Sequence, residues 1–125
     1  MTDRPNALEL LRIAHQTLAQ EILPSAQPEQ RYTLHMIANA LGIAARELAS
    51  HDKNTGEEMR SLDWLYNDAQ HAAALPARNR QLALDIRHGK FESSADQQTR
   101  LRLHLLAGAR AQLAITYPKG LQETT

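Results

Sequence analysis

Apolar residues recur along this chain at alternating three- and four-residue intervals, the repeat of a helix that buries one face. The seams are Leu8, Leu11, His15, Leu18 and Ile22; Leu34, Ile37, Leu41, Ala44 and Leu48; Met59, Leu62, Tyr66, Ala69 and Ala73; and Leu103, Leu106, Ala109 and Leu113. A shorter set comprises Leu82, Ala83 and Ile86. Val is absent and Phe and Trp occur once each, so the β-branched and aromatic residues that favour strands are scarce. The pattern predicts an all-α protein: an antiparallel bundle of about five helices around a long central second helix, in one domain spanning 1–125.

Punctuation sets the boundaries. The first helix is expected from about Pro5 to Leu23, stopped by Pro24. The second runs from Pro28 to His51, and Met36, Ala40 and Ile43 widen its apolar arc enough to place it centrally. His51 to Gly56 reads as a loop, after which Thr55 and Glu58 form a capping box for a third helix. Trp64 and Leu65 flank that helix's seam, and Leu75-Pro76 breaks it. The fourth ends at Arg87-His88-Gly89, with basic residues before a stop glycine. Ser94 and Gln97 cap the fifth, Pro118 ends it, and 119–125 reads as a loose tail.

Charge and composition exclude several chemistries. The 14 basic and 14 acidic side chains balance, without the basic surplus that phosphate contacts require. With no cysteine, disulfides, thiolate metal sites and cysteine nucleophiles are excluded. No apolar run approaches the roughly 20 residues that span a bilayer. The opening Met1-Thr2-Asp3-Arg4-Pro5 lacks the basic and apolar regions of a secretory signal. A bacterial-type cytoplasm, with no membrane association, is the expectation.

Ile37 to Arg46 invites comparison with a helix-turn-helix, Gly42 standing at the turn. The seam keeps its phase across Gly42, however, and the second half offers only Arg46 as a strong base or phosphate reader. One continuous helix is expected, and no nucleic acid. The six histidines fall about one to a segment, with no pair at three- or four-residue spacing and no Glu-x-x-His signature, so no metal is expected. Asp68 with His71, and Asp85 with His88, read as surface or helix-end pairs. His15, on a seam, reads as a hydrogen-bonded core-edge histidine.

Tyr32, His35, Asn39, Gly42 and Arg46 share the side of the second helix opposite its seam. Arg46-Glu47, near the end of so broad a helix, needs partners: a structural salt bridge, or a ligand contact. Asn39, Arg46, Glu47 and Arg87 are therefore the candidate ligand-binding residues, for a small anionic ligand. Nucleophile elbows, phosphate loops and dinucleotide fingerprints do not occur, so no catalytic residue is assigned, no cofactor is expected, and the sequence does not point to an enzyme.

Arg4-Pro5 with Glu9-Leu10-Leu11, Asn39-Ala40-Leu41 with Arg46-Glu47, Ile86-Arg87-His88-Gly89 and the closing Pro118 to Leu121 resemble a bacterial family of small helical proteins labelled only as a domain of unknown function. The resemblance covers nearly the whole chain. Members of that family are often encoded beside acyl-CoA dehydrogenases and aminoglycoside-phosphotransferase-like kinases. Where the family's end pattern reads Asn-Pro, Tyr117 precedes Pro118. The resemblance implies an accessory role near acyl-CoA catabolism and supplies no catalytic residue. The leading reading is thus a non-enzymatic helical interaction protein or homo-oligomer. A small-ligand binder or cryptic enzyme is the second reading, and a DNA binder the third.

Overall fold

A computed structural model describes residues 6–68 and 73–123. Among them no strand occurs, and the all-α expectation is met by five helices: α1 (Ala7–Thr17), α2 (Pro28–Tyr66), α3 (Leu75–Arg87), α4 (Ala95–Thr116) and α5 (Lys119–Glu123). The expected start at Pro5, together with Ala69 and His71, lies outside the described residues. Packing divides the chain into two compact units, Met1–His51 and Asp52–Thr125.

In the first unit, the Asn6 side chain accepts from Glu9 N–H at 2.9 Å and caps α1. The helix continues through a π-helical turn, Leu18–Ile22, and a 3-10 turn, Leu23–Ser25, that contains Pro24. Its inward line is the expected one at Leu8, Leu11, His15 and Leu18, but Ile22 is exposed. On α2 the expected seam is corrected more deeply. Ile37 and Leu48 are exposed, and the buried line is Ala38, Gly42 and Ala45, displaced by about one residue, or ~100°, around the helix. The inward residues are small, and a Cβ on Gly42 would stand in ordinary contact, 3.6 Å, with His15 Nε2. The side expected to lie opposite the seam is therefore partly inward at Gly42, whereas Tyr32, His35 and Asn39 on it are exposed.

The loop expected over His51 to Gly56 does not form, and Thr55-Glu58 caps nothing, because α2 is continuous over 39 residues. Polar residues do not interrupt a helix. No proline intervenes here, Lys53 and Glu57 lie 4.0 Å apart at i,i+4, and a single Gly56 costs only about 1 kcal/mol against Ala. The polar stretch marks a boundary all the same, since the division between the units falls at His51 and Asp52.

In the second unit, α2 ends at Tyr66 rather than at Leu75-Pro76. Asn67 takes a positive φ of 53°, and Asp68 N–H reaches back to Asp63 C=O at 3.0 Å, a left-handed helix cap. Pro76 instead occupies the first turn of α3, where its missing N–H is no loss. The Arg87-His88-Gly89 stop is as expected: Gly89 sits at φ 75° and Lys90 N–H bonds Asp85 C=O at 2.9 Å. This turn delivers Phe91 to the core of Leu62, Leu65 and Leu82, against which Tyr66, Leu75 and Leu101 pack. Of the short fourth seam only Leu82 is buried; Ala83 and Ile86 are exposed.

Ser94 Oγ accepts from Gln97 N–H at 3.1 Å to start α4. This helix is rotated from its expected phase. Leu103, Leu106 and Ala109 face outward, while His104 and Ile115 are buried. Arg100 fastens α4 to α2: its Nη1 donates to Trp64 C=O at 3.0 Å and its guanidinium lies 5.0 Å from the Trp64 ring centroid. The expected loose tail is helical at Lys119–Glu123. Gly120 there is buried, and an added Cβ would come within 2.9 Å of Tyr117 and 3.2 Å of Leu113.

Candidate functional site

Three of the sequence-nominated residues lie in the first unit. Asn39 and Glu47 are exposed on α2, whereas Arg46 is half-buried, its Nη1 3.2 Å from the place a Cβ on Gly42 would take. Arg46 and His15 thus meet around Gly42. Arg87 is the exposed last residue of α3, in the second unit. The helix-turn-helix reading requires a turn at Gly42, and α2 has none there.

The densest polar chemistry belongs to the second unit. Arg78, Gln81 and Asp85 recur at three- and four-residue spacing, so they share one face of α3. Tyr66, in the last turn of α2, donates its hydroxyl to Asp85 Oδ2 at 2.6 Å, and Gln81 Nε2 donates to Oδ1 at 2.9 Å. Lys90 Nζ stands 3.8 Å from Oδ2 and 4.9 Å from the Tyr66 ring centroid. The Tyr66 ring meets Phe91 edge-on at 5.7 Å. The Tyr66 hydroxyl holds the Asp85 carboxyl below its ordinary range despite the opposing effect of burial, with help from Gln81 and Lys90. Burial and the bond to Asp85 push the Tyr66 phenol up. At neutral pH the pair is a neutral donor on a charged acceptor.

Arg78 lies beside this pair with its side chain only 5 % exposed. Its Nη1 forms an ion pair with Asp63 Oδ1 at 2.9 Å and approaches Met59 C=O at 3.4 Å. The ion pair is close but poorly aligned, so Asp63 Oδ1 receives no well-directed N–H, and Nη2 is buried with no acceptor. A buried donor left in that condition costs about 1–3 kcal/mol. Together with Tyr66, Ala73, Ala77, Gln81, Asp85 and Lys90, Arg78 lines a cleft of about 470 Å³.

Sequence reasoning missed this cluster. Tyr66 was assigned to the core and Asp85 to a pair with His88. A signal existed at Arg78: the start of a helix favours acidic residues, and an arginine two residues after Pro76 runs against that preference.

Elsewhere in this unit Ser61 Oγ and His104 Nδ1 share a hydrogen bond of 2.6 Å. Ser61 sits inside α2 near its C-terminal end, where helical bonding leaves no backbone N–H to stabilise an oxyanion, and His104 is 6 % exposed. The pair joins α4 to α2, as Asn79 joins α3 to α2 by donating to Glu58 Oε2 at 3.0 Å. Burial lowers the His104 pKa from its ordinary 6.5, against the opposing pull of Glu58. Well above pH 6.5 neither folded nor unfolded chain protonates this residue; as the pH falls through 6.5 the unfolded chain takes the proton first, so stability falls until the lowered folded pKa is reached. The urea midpoint is expected to drop as the pH falls below about 6.5, and His104→Gln to flatten that slope. An unchanged slope in the variant would assign the acid sensitivity elsewhere.

A second concavity, of about 480 Å³, is lined by Ile86, Phe91, Leu101, Leu105 and Leu106, with Glu92, Gln98 and Arg102 also bordering it. Among the described residues no three His, Asp or Glu side chains converge as metal ligands, and no helix is long and apolar enough to cross a membrane.

Comparison with curated proteins and with solved structures finds no match. A family model described as a domain of unknown function (DUF6285) matches residues 24–120, a span that takes in α2, α3, α4 and both concavities. With most of its length matched, the chain belongs to the DUF6285 family.

Proposed function

We propose that this protein is a non-enzymatic helical interaction module that works by docking an amphipathic helix, in the cytoplasm. The observation that carries the reading is the outward apolar surface of α4. Leu103, Leu105 and Leu106 are 43–49 % exposed, and the latter two form one wall of the groove closed by Ile86, Phe91 and Leu101. A groove of this kind accepts the apolar face of a helix, and its polar border aligns the helix on entry. The resemblance set out from the sequence directs the search for the partner towards acyl-CoA dehydrogenases and aminoglycoside-phosphotransferase-like kinases. Self-association is the other form the same chemistry can take.

The test pairs light scattering of the purified chain with co-purification against those two enzyme classes. The expected result is a defined complex or oligomer that Leu105→Glu with Leu106→Glu abolishes, leaving helix content by circular dichroism unchanged. Both positions are exposed, so surface substitution there costs little, roughly within 0.5 kcal/mol. A wild-type chain that stays monomeric and binds neither enzyme overturns the proposal.

A further inference from the structure

We propose that the apolar face of the helical hairpin in the first unit is a dimer interface, covered by the same face of a second copy of this chain. The two copies of α2 run antiparallel across it, with Leu41 on the two-fold axis. The surface is separate from the groove on α4, so the inference stands apart from helix docking. Three observations carry it.

The first is how little of its apolar surface the hairpin uses. α1 and α2 are joined by the short turn through Leu23–Ser25 and pack antiparallel, with His15 beside Gly42. The apolar residues buried there, among the described ones, are Leu18, Ala38 and Ala45. Leu34, Ile37, Leu41, Ala44 and Leu48 keep the alternating three- and four-residue spacing by which one helix packs along another. Yet Ile37 and Leu48 are about half exposed, as are Leu10 and Ile13 on α1. Each set is rotated by roughly 100° in the same sense from its helix's inward line. In an antiparallel pair that rotation carries both sets to one side of the hairpin.

The second is the fit of this face to itself. Arg46 and Glu47 are turned by about 100° or more from the seam, which holds no charged residue from Leu34 to Leu48. An uncharged apolar surface is therefore its complement, since a charge buried against it would lack a partner. A two-fold interface uses one patch on both subunits, so that patch must match itself. The seam does so about Leu41. Leu34 and Leu48 stand seven residues to either side, Ile37 four before it and Ala44 three after. Antiparallel copies of α2 crossing at Leu41 set Leu34 against the second copy's Leu48, and large Ile37 against its small Ala44. Because His15 stands beside Gly42, the same axis brings Leu10 level with the second copy's Ile22, and both are exposed.

The third is size. The face is two helices wide, roughly 20 Å, and roughly 25 Å long at 1.5 Å per residue. Two copies would cover about 1,000 Å² in total even as flat surfaces, the size from which a well-matched interface is specific.

Sedimentation velocity of the full chain provides the test, and a species of twice the chain mass is expected. Ile37→Glu with Leu48→Glu, both at exposed positions, should raise the dimer dissociation constant at least tenfold, with helix content by circular dichroism unchanged. Leu105→Glu with Leu106→Glu should leave this dimer intact, which separates its failure from failure of helix docking. If the first double variant loses helix content, cross-linking decides. In a chain with no cysteine of its own, Leu41→Cys should form a disulfide-linked dimer under mild oxidation. Tyr32→Cys, at an exposed position on α2 turned away from the seam, should not. A wild-type chain that stays monomeric overturns the proposal. So does a monomer that collects on phosphatidylglycerol vesicles, which would make the face a lipid-binding one. A dimer dissociated by Leu105→Glu with Leu106→Glu, or one in which Tyr32→Cys cross-links as readily as Leu41→Cys, has its interface elsewhere and overturns it as well.

Discussion

Asp63→Ala is expected to destabilise the second unit by about 3–5 kcal/mol, because it strands a buried guanidinium. Arg78 is 5 % exposed, and among the described residues its carboxylate partner is Asp63, at 2.9 Å. The guanidinium cannot neutralise itself at any accessible pH. Its remaining contacts, Met59 C=O at 3.4 Å and Met59 Sδ at 3.8 Å, carry no compensating charge. The pair gives no large net stabilisation over an apolar substitute; the cost arises from removing one member. The double variant Asp63→Leu with Arg78→Met, which removes both charges, should therefore recover most of the loss. Urea unfolding of Asp63→Leu, Arg78→Met and the double variant measures the coupling. If the single variants add to give the double, the two residues act separately and the argument fails.

Leu62→Ala is the second large effect, expected at about 2–5 kcal/mol. Leu62 is 0 % exposed and is the only large side chain among the described residues that is fully buried. It stands among Leu65, Leu82 and Phe91, so truncation opens a cavity where α2, α3 and the turn into Phe91 meet. Stability of domains this size totals about 5–15 kcal/mol, so the variant should show a large fall in its unfolding midpoint. Trp64→Ala is the control: one position beyond Asp63 in the same helix but 43 % exposed, it should lose much less. Comparable losses at the two positions would mean that the core does not lie where the burial places it.

Much of the fold was legible from composition and spacing. Helical periodicity, Gly89 and Ser94 each act through their own immediate backbone, and each appears where the sequence puts it. What failed has a common cause. The polar run from His51 to Gly56 reads as a loop, yet nothing in it opposes helical dihedrals. The helix passes through, and the run separates two packing units instead. The seams of α2 and α4 failed differently. Both helices carry more apolar surface than their packing uses, so several phases satisfy the pattern equally. Ala38, Gly42 and Ala45 are the inward line of α2 because the rest of their unit packs against that face. His104 turned inward on α4 because Ser61 offers it a hydrogen bond across 43 residues of sequence.

The candidate site shows the same division. Asn39 and Arg46 stand out for sharing the side of the second helix opposite its expected seam, Arg46-Glu47 for charge on so broad a helix, and Arg87 for its place at the end of another. Tyr66, Arg78, Asp85 and Lys90 depend on a contact between the end of α2 and the face of α3, which local spacing does not encode.

By itself, then, the sequence determined the class, the helix stops at Gly89 and Pro118, the Ser94 cap, and the absence of cysteine chemistry, because each depends on backbone dihedrals or residue type at one position. Which face of each helix is buried, and which charged groups meet, was decided only by tertiary structure. A side chain's burial and its electrostatic partner are set by what another segment places against it, and those segments lie tens of residues apart.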